Sequence, residues 1–459
     1  MLIKMKRFSS ILAAVLLAVS AVSCGKDIDS DSDPDDNPVK EPVSLSGDVQ
    51  GVWESGSVIE VTGHINVPEG QTLTVEEGVE VIFSEKGAGA NHAPIEFTVN
   101  GNLYVRGSAE KPVLFSVAEE LRTDSNIFNE DAMWGGIVAT ESCEELLIDH
   151  AIIEYTGGQV IEGSPAATNG IYTAGDDAYP QITLTRMDGR YVITDNVIRN
   201  GWSDGIYVIG GNVIISGNTF AANGYDGAEA VNAKAGSVVD VAGNVMFSPN
   251  TNGLKLSSSG QSVERHQAKI TAYNNTVINA GWRRDGEKGG SIYVEKNALV
   301  TVVNNLMVNC KFRAMTPKYT SPDDPEKGYD DDSVIDYNYY ASGSQKSSIV
   351  FDEESGVAFA WQGYNYDHSS YNPEVDLHST LAVEADGKDP LFVNFDINSV
   401  SLTEYVYDPS WDFHLKEGSP ALVSTAASVE PYFAVNGLTV GSETYLSPAL
   451  KPYCGAFGK

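Results

Sequence analysis

Positive charge is scarce in this chain. Its 459 residues carry 29 lysines and arginines against 63 aspartates and glutamates, a formal net charge of −34. Nucleic-acid phosphates need basic side chains to displace their counterions, so a nucleic-acid partner is excluded. The same imbalance argues against unassisted attraction to anionic lipids or to polyuronate sugars. Long apolar runs are also missing. The run from Ile11 to Val22 has twelve residues, fewer than the ~20 a membrane-spanning helix needs, and no later segment qualifies. No Gly-x-Ser-x-Gly, His-Glu-x-x-His or phosphate-binding loop occurs, so no familiar catalytic motif is present. What is present is a core-forming composition. Hydrophobic residues make up 42% of the chain, which excludes wholesale disorder.

The first residues read as an address. Lys4, Lys6 and Arg7 precede the apolar run, and Ala21-Val22-Ser23 leads into Cys24. This ending resembles the lipobox of bacterial lipoproteins, with Ala21 where the lipobox carries leucine. The resemblance implies cleavage after residue 23, lipidation of Cys24 and attachment to the outer membrane; several acyl chains anchor strongly, at about 0.8 kcal/mol per buried CH₂. Six aspartates follow within Asp27 to Asp36, a self-repelling stretch that stays extended. Its place behind the cysteine resembles the acidic export signal of surface-exposed lipoproteins of the Bacteroides group. Residues 24–46 are therefore expected to be a tether holding the protein at the cell surface.

The body repeats. Tyr191 to Ile198, Val213 to Phe220, Val239 to Met246, Ile270 to Val277 and Val300 to Met307 superimpose on Asn196, Asn218, Asn244, Asn275 and Asn305. Apolar residues lie five and three positions before each asparagine and two after it. Alternation on both sides predicts two short strands with one face inward. The asparagine falls at the bend, where it tolerates left-handed dihedrals and bonds neighbouring backbone. Weaker copies surround Asp149-His150 and Asn338. The asparagines are 22, 26, 31 and 30 residues apart, which suits a coil of three short strands with one loop of variable length. Stacking such coils about 4.8 Å apart would align the amides in a ladder.

This pattern resembles the right-handed parallel β-helix of the pectate-lyase-like superfamily. The expected fold is all-β, a single right-handed solenoid of roughly a dozen coils. The β-helix is assigned to 47–345, and 346–459 to C-terminal coils and a closing cap. The opening phrases, including Trp134-Gly-Gly-Ile137, resemble the first coils of bacterial surface β-helix proteins. Phe413 to Ala421 and Cys454-Gly-Ala-Phe457 resemble the closing segment of secreted ones. Cys143 and Cys310 are about six coils apart, roughly 30 Å, too far for a disulfide. The alternatives are three buried thiols, or Cys454 folded back onto Cys310.

Function is less legible, since one fold hosts many activities. Polygalacturonase-type hydrolases of this fold carry Asn-Thr-Asp, Asp-Asp, Gly-His-Gly and Arg-Ile-Lys motifs, which are absent here. Pectate lyases combine calcium-binding carboxylates with an arginine or lysine base. Ile148-Asp149-His150 resembles a stretch of one lyase family, with Leu147 replacing its tryptophan, but it also falls on the bend. After the bend, three coils read Asn200-Gly-Trp202-Ser-Asp204, Asn223-Gly-Tyr225-Asp226 and Asn279-Ala-Gly-Trp282-Arg283-Arg284-Asp285. Stacked loops would align Trp202, Tyr225 and Trp282 as platforms for sugar rings, flanked by Asp204, Asp226 and Asp285. The alternative is an aromatic stack that only caps the coil edge. Arg283, Arg284 and Lys288 form a basic spot where a lyase base would lie. In Ser321 to Asp332, five aspartates and a glutamate include Asp330, Asp331 and Asp332, a possible calcium site or a solvated acidic loop. No other cofactor is implied.

The expected protein is a surface-exposed outer-membrane lipoprotein that binds a polysaccharide or another extracellular polymer through lateral loops, without cleaving it. The alternatives are a polysaccharide lyase or glycoside hydrolase, and an adhesin or structural protein that binds a protein partner.

Overall fold

The structure, a computed structural model, describes residues 43–175, 178–284, 289–311, 328–344, 350–351, 358–359, 375–382, 389–423, 426 and 428–459. The leader, Cys24, the acidic run, Asp285, Lys288 and most of 321–332 lie outside the described residues.

Each coil carries three short strands. Arg190–Thr194, Val197–Gly201 and Ile206–Val208 form one coil, and Gly211–Ser216, Thr219–Asn223 and Val231–Ala233 the next. First strands of successive coils stack in parallel into a ten-stranded sheet from Gly51–Trp53 to Val334–Ile335, here sheet one. Second strands stack from Val43–Asp48 to Thr380–Ala382 as sheet two, and third strands from Phe97–Val99 to Gly290–Glu295 as sheet three. The long strand Val58–Val67 pairs with both Glu80–Phe83 and Phe97–Val99 and so links sheets two and three. The fold is a right-handed parallel β-helix.

Register turns the sequence alternation into a core. Leu146, Tyr191, Val213, Val239, Ile270 and Val300 occupy equivalent positions on six consecutive coils, and all are buried. Removing such a side chain from water contributes about 1.5–3 kcal/mol.

The five asparagines form the expected ladder. The Asn196 Nδ2 donates to Asn218 Oδ1 at 2.9 Å, Asn218 to Asn244 at 3.0 Å, and Asn244 to Asn275 and Asn275 to Asn305 both at 2.9 Å. Asn338 continues it at 3.1 Å. Each Oδ1 also accepts a backbone N–H from the preceding coil, and each Nδ2 donates to a strand carbonyl. Every polar atom of the buried amides is used. One expectation needs correction. The left-handed residue is not the ladder asparagine but the one before it: Asp195, Gly217, Gly243, Asn274 and Asn304, with φ between 51° and 68°. His150 and Tyr337 hold the same left-handed position in their coils. The ladder asparagine itself is not left-handed, and its side chain is buried.

Cys143, Cys310 and Cys454 are all buried, and none is joined to another by a disulfide. The described part of 346–459 adds Thr380–Ala382 to sheet two and then leaves the helix axis. Phe392, Phe395, Phe413 and Leu415 pack on Ala221, Phe247, Ile278 and Val308, covering the outside of sheet two. Phe433, Leu438 and Val440 then pack on Leu147, Val192 and Ile214, outside sheet one. Buried Asp240 pins this strap, accepting from Tyr432 N, Phe433 N and Ser447 Oγ at 2.7–3.1 Å. Rather than only closing one end, the C-terminal segment sheathes two faces.

The ladder predicts a position-specific cost. Asn244→Ala strands buried groups on Asn218 and Asn275, each worth about 1–3 kcal/mol, so denaturant unfolding should show a loss of about 3 kcal/mol or more. An exposed substitution such as Glu60→Ala should change stability by less than about 0.5 kcal/mol.

Candidate functional site

Sheet three is the face that the C-terminal segment leaves open among the described residues. Tyr207, Asn232, Lys255 and Tyr293 stand at equivalent outward positions on four successive coils. Residues 157–175 and 178–180 form a wall at its N-terminal end. Its Tyr179 is buried against Val138 and donates to the carboxylate of buried Glu96 at 2.8 Å. Glu96 also accepts from Ala166 N at 2.8 Å, and burial raises its pKa. From this wall Tyr172 bonds Thr183 at 2.7 Å and lies over Tyr207.

Between wall and sheet lies a cavity of about 700 Å³, lined among others by Trp202, Asp204, Tyr207, Tyr225, Glu229 and Asn232. Trp202 and Tyr225 stack with centroids 4.4 Å apart and an interplanar angle of 27°. Gly157, with φ 127°, permits this placement, because a Cβ there would lie 2.2 Å from Trp202 Cβ. Tyr225 is 54% exposed and leans on Phe128, 5.8 Å away.

Trp282 does not join the row. It is buried, and its Nε1–H donates to Asn309 O at 2.6 Å. Arg283 is a strut: its guanidinium donates to the carbonyls of Asn223, Gly224 and Ser248 and lies over the Phe128 ring. Burial lowers its pKa. With every nitrogen committed to backbone, Arg283 is not placed to act as a base. Arg284 pairs with exposed Asp226 at 3.5 Å. Asp285 and Lys288 lie outside the described residues.

Asp204 meets a partner that the loop comparison missed. Sheet two pairs Gly201 with Asn223 and sheet three pairs Ile206 with Val231, so the second coil's loop holds three extra residues and brings Glu229 rather than Asp226 beside Asp204. Glu229 N donates to Asp204 Oδ1 at 2.6 Å. The Asn232 Nδ2 bridges Asp204 Oδ2 at 3.0 Å and Glu229 Oε2 at 3.2 Å, and Asn252 Nδ2 reaches Glu229 Oε1 at 3.0 Å. Asp204, Glu229 and Asn232 are each 6–7% exposed. Burial, and then the charge of Glu229, raise the pKa of Asp204 to about 8. The cluster was findable: Asp204-Gly-Ile-Tyr-Val, Glu229-Ala-Val-Asn-Ala and Asn252-Gly-Leu-Lys-Leu align without gaps.

Two carboxylates and an amide form the kind of oxygen set that calcium takes. Asn232 Oδ1 is buried without a hydrogen-bond partner, and turning this amide over would present that oxygen to the carboxylates. The fit is better than at Asp330, Asp331 and Asp332, where Asp330 is occupied by Gln267 Nε2 and Asp332 N. A separate group, Asp149, His150 and Asp195, gathers its ligand atoms within 4.8 Å at the first bend. There His150 Nδ1 is already 2.6 Å from Asp149 Oδ1, and burial raises the Asp149 pKa.

Two lysines complete the face. Lys255 pairs with Glu295 at 3.6 Å and lies 5.9 Å over Tyr293. Lys234 lies 5.9 Å over Tyr207. Burial, and then the charge of Lys255, lower the Lys234 pKa.

The family model described as the right-handed beta helix region matches residues 167–322. No curated protein matches the chain in sequence. Among solved structures, a variant of an alginate lyase of the PL6 family is similar, at 8% identity and a TM-score of 0.28. The match covers 80% of this chain and 56% of the lyase, so the chain spans little more than half of that protein's length.

The Asp204 pKa predicts a pH signature. The folded state holds this proton more tightly than an unfolded chain, whose aspartate titrates near 3.9. The stability it contributes is present below about pH 4 and is lost as pH rises through about 8. Asp204→Asn should therefore narrow the difference in melting temperature between pH 5 and pH 9. An unchanged difference would assign the pH dependence to other groups.

Proposed function

We propose that the protein is a lipid-anchored surface protein that binds an extended polysaccharide in the sheet-three cleft without cleaving it. The observation that carries this is the Trp202–Tyr225 stack, half open to solvent, beside the carboxylates of Asp204 and Glu229. Sugar rings lay their C–H faces on such platforms while carboxylates accept from hydroxyls. Anchoring through Cys24 rests on the lipobox-like leader and the acidic run behind it.

A second reading is favoured by one feature. Lys234, with its lowered pKa, faces the cavity's acidic end, where a neutral amine could accept a proton from a sugar carbon. Asp204, Glu229 and Asn232 would hold a calcium ion that neutralises a sugar carboxylate. This is the lyase alternative.

Trp202→Ala and Tyr225→Ala should each weaken retention in polysaccharide affinity gels about tenfold or more, from about 1.5–3 kcal/mol of lost aromatic burial. Trp282→Ala should lower the melting temperature and leave retention unchanged. The soluble chain from Gly25 onward, incubated with neutral, sulfated and uronic polysaccharides with and without calcium, should yield no new chain ends. Cleavage abolished by Lys234→Met would replace the binding reading with the lyase. Retention unaffected at both aromatic positions would leave the protein-binding adhesin.

A further inference from the structure

The cavity ends at Asn232, but the row of outward side chains does not. Tyr207, Asn232, Lys255 and Tyr293 follow one another coil by coil, three strand spacings or about 14 Å in all. A pyranose in an extended chain is close in length to one such spacing.

Lys234 is the anomaly on this face. Among the described residues, none gives its ammonium a hydrogen bond or an ion pair within 4 Å; it lies over the Tyr207 ring and meets the like charge of Lys255, which with burial outweighs the pull of the Glu295, Glu229 and Asp204 carboxylates farther off. Burying a charge costs free energy unless an opposite charge compensates it. A second lysine alongside raises that cost. Lys255 is neutralised by Glu295, whose Oε1 is also held by Ser257 Oγ at 3.0 Å. In a chain with more than twice as many acids as bases, an unpaired and partly buried ammonium on the open face is a place where an incoming anion relieves an existing penalty.

We propose that the binding site continues along the helix axis as a strip. The aromatic pair takes one sugar, and Lys234, Lys255 and Tyr293 form a second station that takes a sugar of the same chain bearing an anionic substituent. This rests on the cleft being a glycan site. It assigns the ligand chemistry as a glycan carrying carboxylate or sulfate, which the net charge of the chain argued against. Asp204 lies on the first coil of the strip, Glu229 and Lys234 on the second and Lys255 on the third, so the strip is polar along its length and gives a bound chain one preferred direction.

Calorimetry tests the proposal with size-defined heparin oligosaccharides from disaccharide to octasaccharide, their desulfated counterparts, and neutral cello-oligosaccharides. Wild-type affinity should rise at least tenfold from disaccharide to hexasaccharide and then level. Lys234→Met, which keeps the stem and removes the charge, should lose about tenfold for anionic oligosaccharides and nothing for neutral ones. Tyr293→Ala should abolish the gain on lengthening while leaving disaccharide affinity intact. Loss of binding on desulfation assigns sulfate, and its retention assigns carboxylate. Melting temperatures within about two degrees of wild type establish that the variants are folded. If Trp202→Ala abolishes binding while Lys234→Met and Tyr293→Ala match wild type at every length, the strip is wrong and the cleft reading stands. Equal affinity for neutral and anionic chains also overturns the strip. If no oligosaccharide binds the wild type, both fall.

Discussion

The amide ladder sets the terms for everything else in the molecule. A buried asparagine without partners costs more than its packing returns. Here each amide is satisfied by the coils before and after it, so no coil can drift from one strand spacing without stranding polar groups on both sides. The ladder therefore fixes pitch, pitch fixes which outward residues stand beside each other, and that adjacency assembles one outward face from residues tens of positions apart. Asp204, Glu229 and Asn232 meet only because the bend above them holds the register.

Much of the fold was legible because period-two alternation around a recurring asparagine has few other solutions. The strands, their parallel stacking and the ladder follow from Tyr191, Val213, Val239, Ile270, Val300 and the asparagines alone. The site was less legible because loops between strands carry no period. Matching loops by their asparagines ignored the three residues that the second loop inserts before its third strand, so Asp226 stood where Glu229 belongs. Trp282 matched Trp202 in pattern, but one extra residue precedes it, and its ring turns inward to Asn309. Lys234 and Lys255 went unnoticed because each is an ordinary strand residue until its neighbours on the next coils are known.

Net charge illustrates the same limit. A total of −34 describes long-range steering and solubility. Recognition at contact distance depends on what a ligand meets within a few ångströms, where screening and burial outweigh the total. On sheet three a small basic station adjoins an acidic one, inside a chain whose average would predict only the second.

The strap gives the molecule a folding order. Gly441 N reaches Glu145, and Arg106 pairs with Glu443, across sequence separations of 296 and 337 residues. Such contacts can form only after the intervening coils have wound, because closing a loop that long before its contents are ordered is entropically costly and slow. The strap around Gly441 and Glu443 thus binds surfaces laid down by coils hundreds of residues earlier. Docking of the strap then becomes a kinetic latch: unwinding from the early coils must first release a segment whose own anchor points are spread over much of the solenoid, which joins a row of locally stacked coils into one cooperative unit.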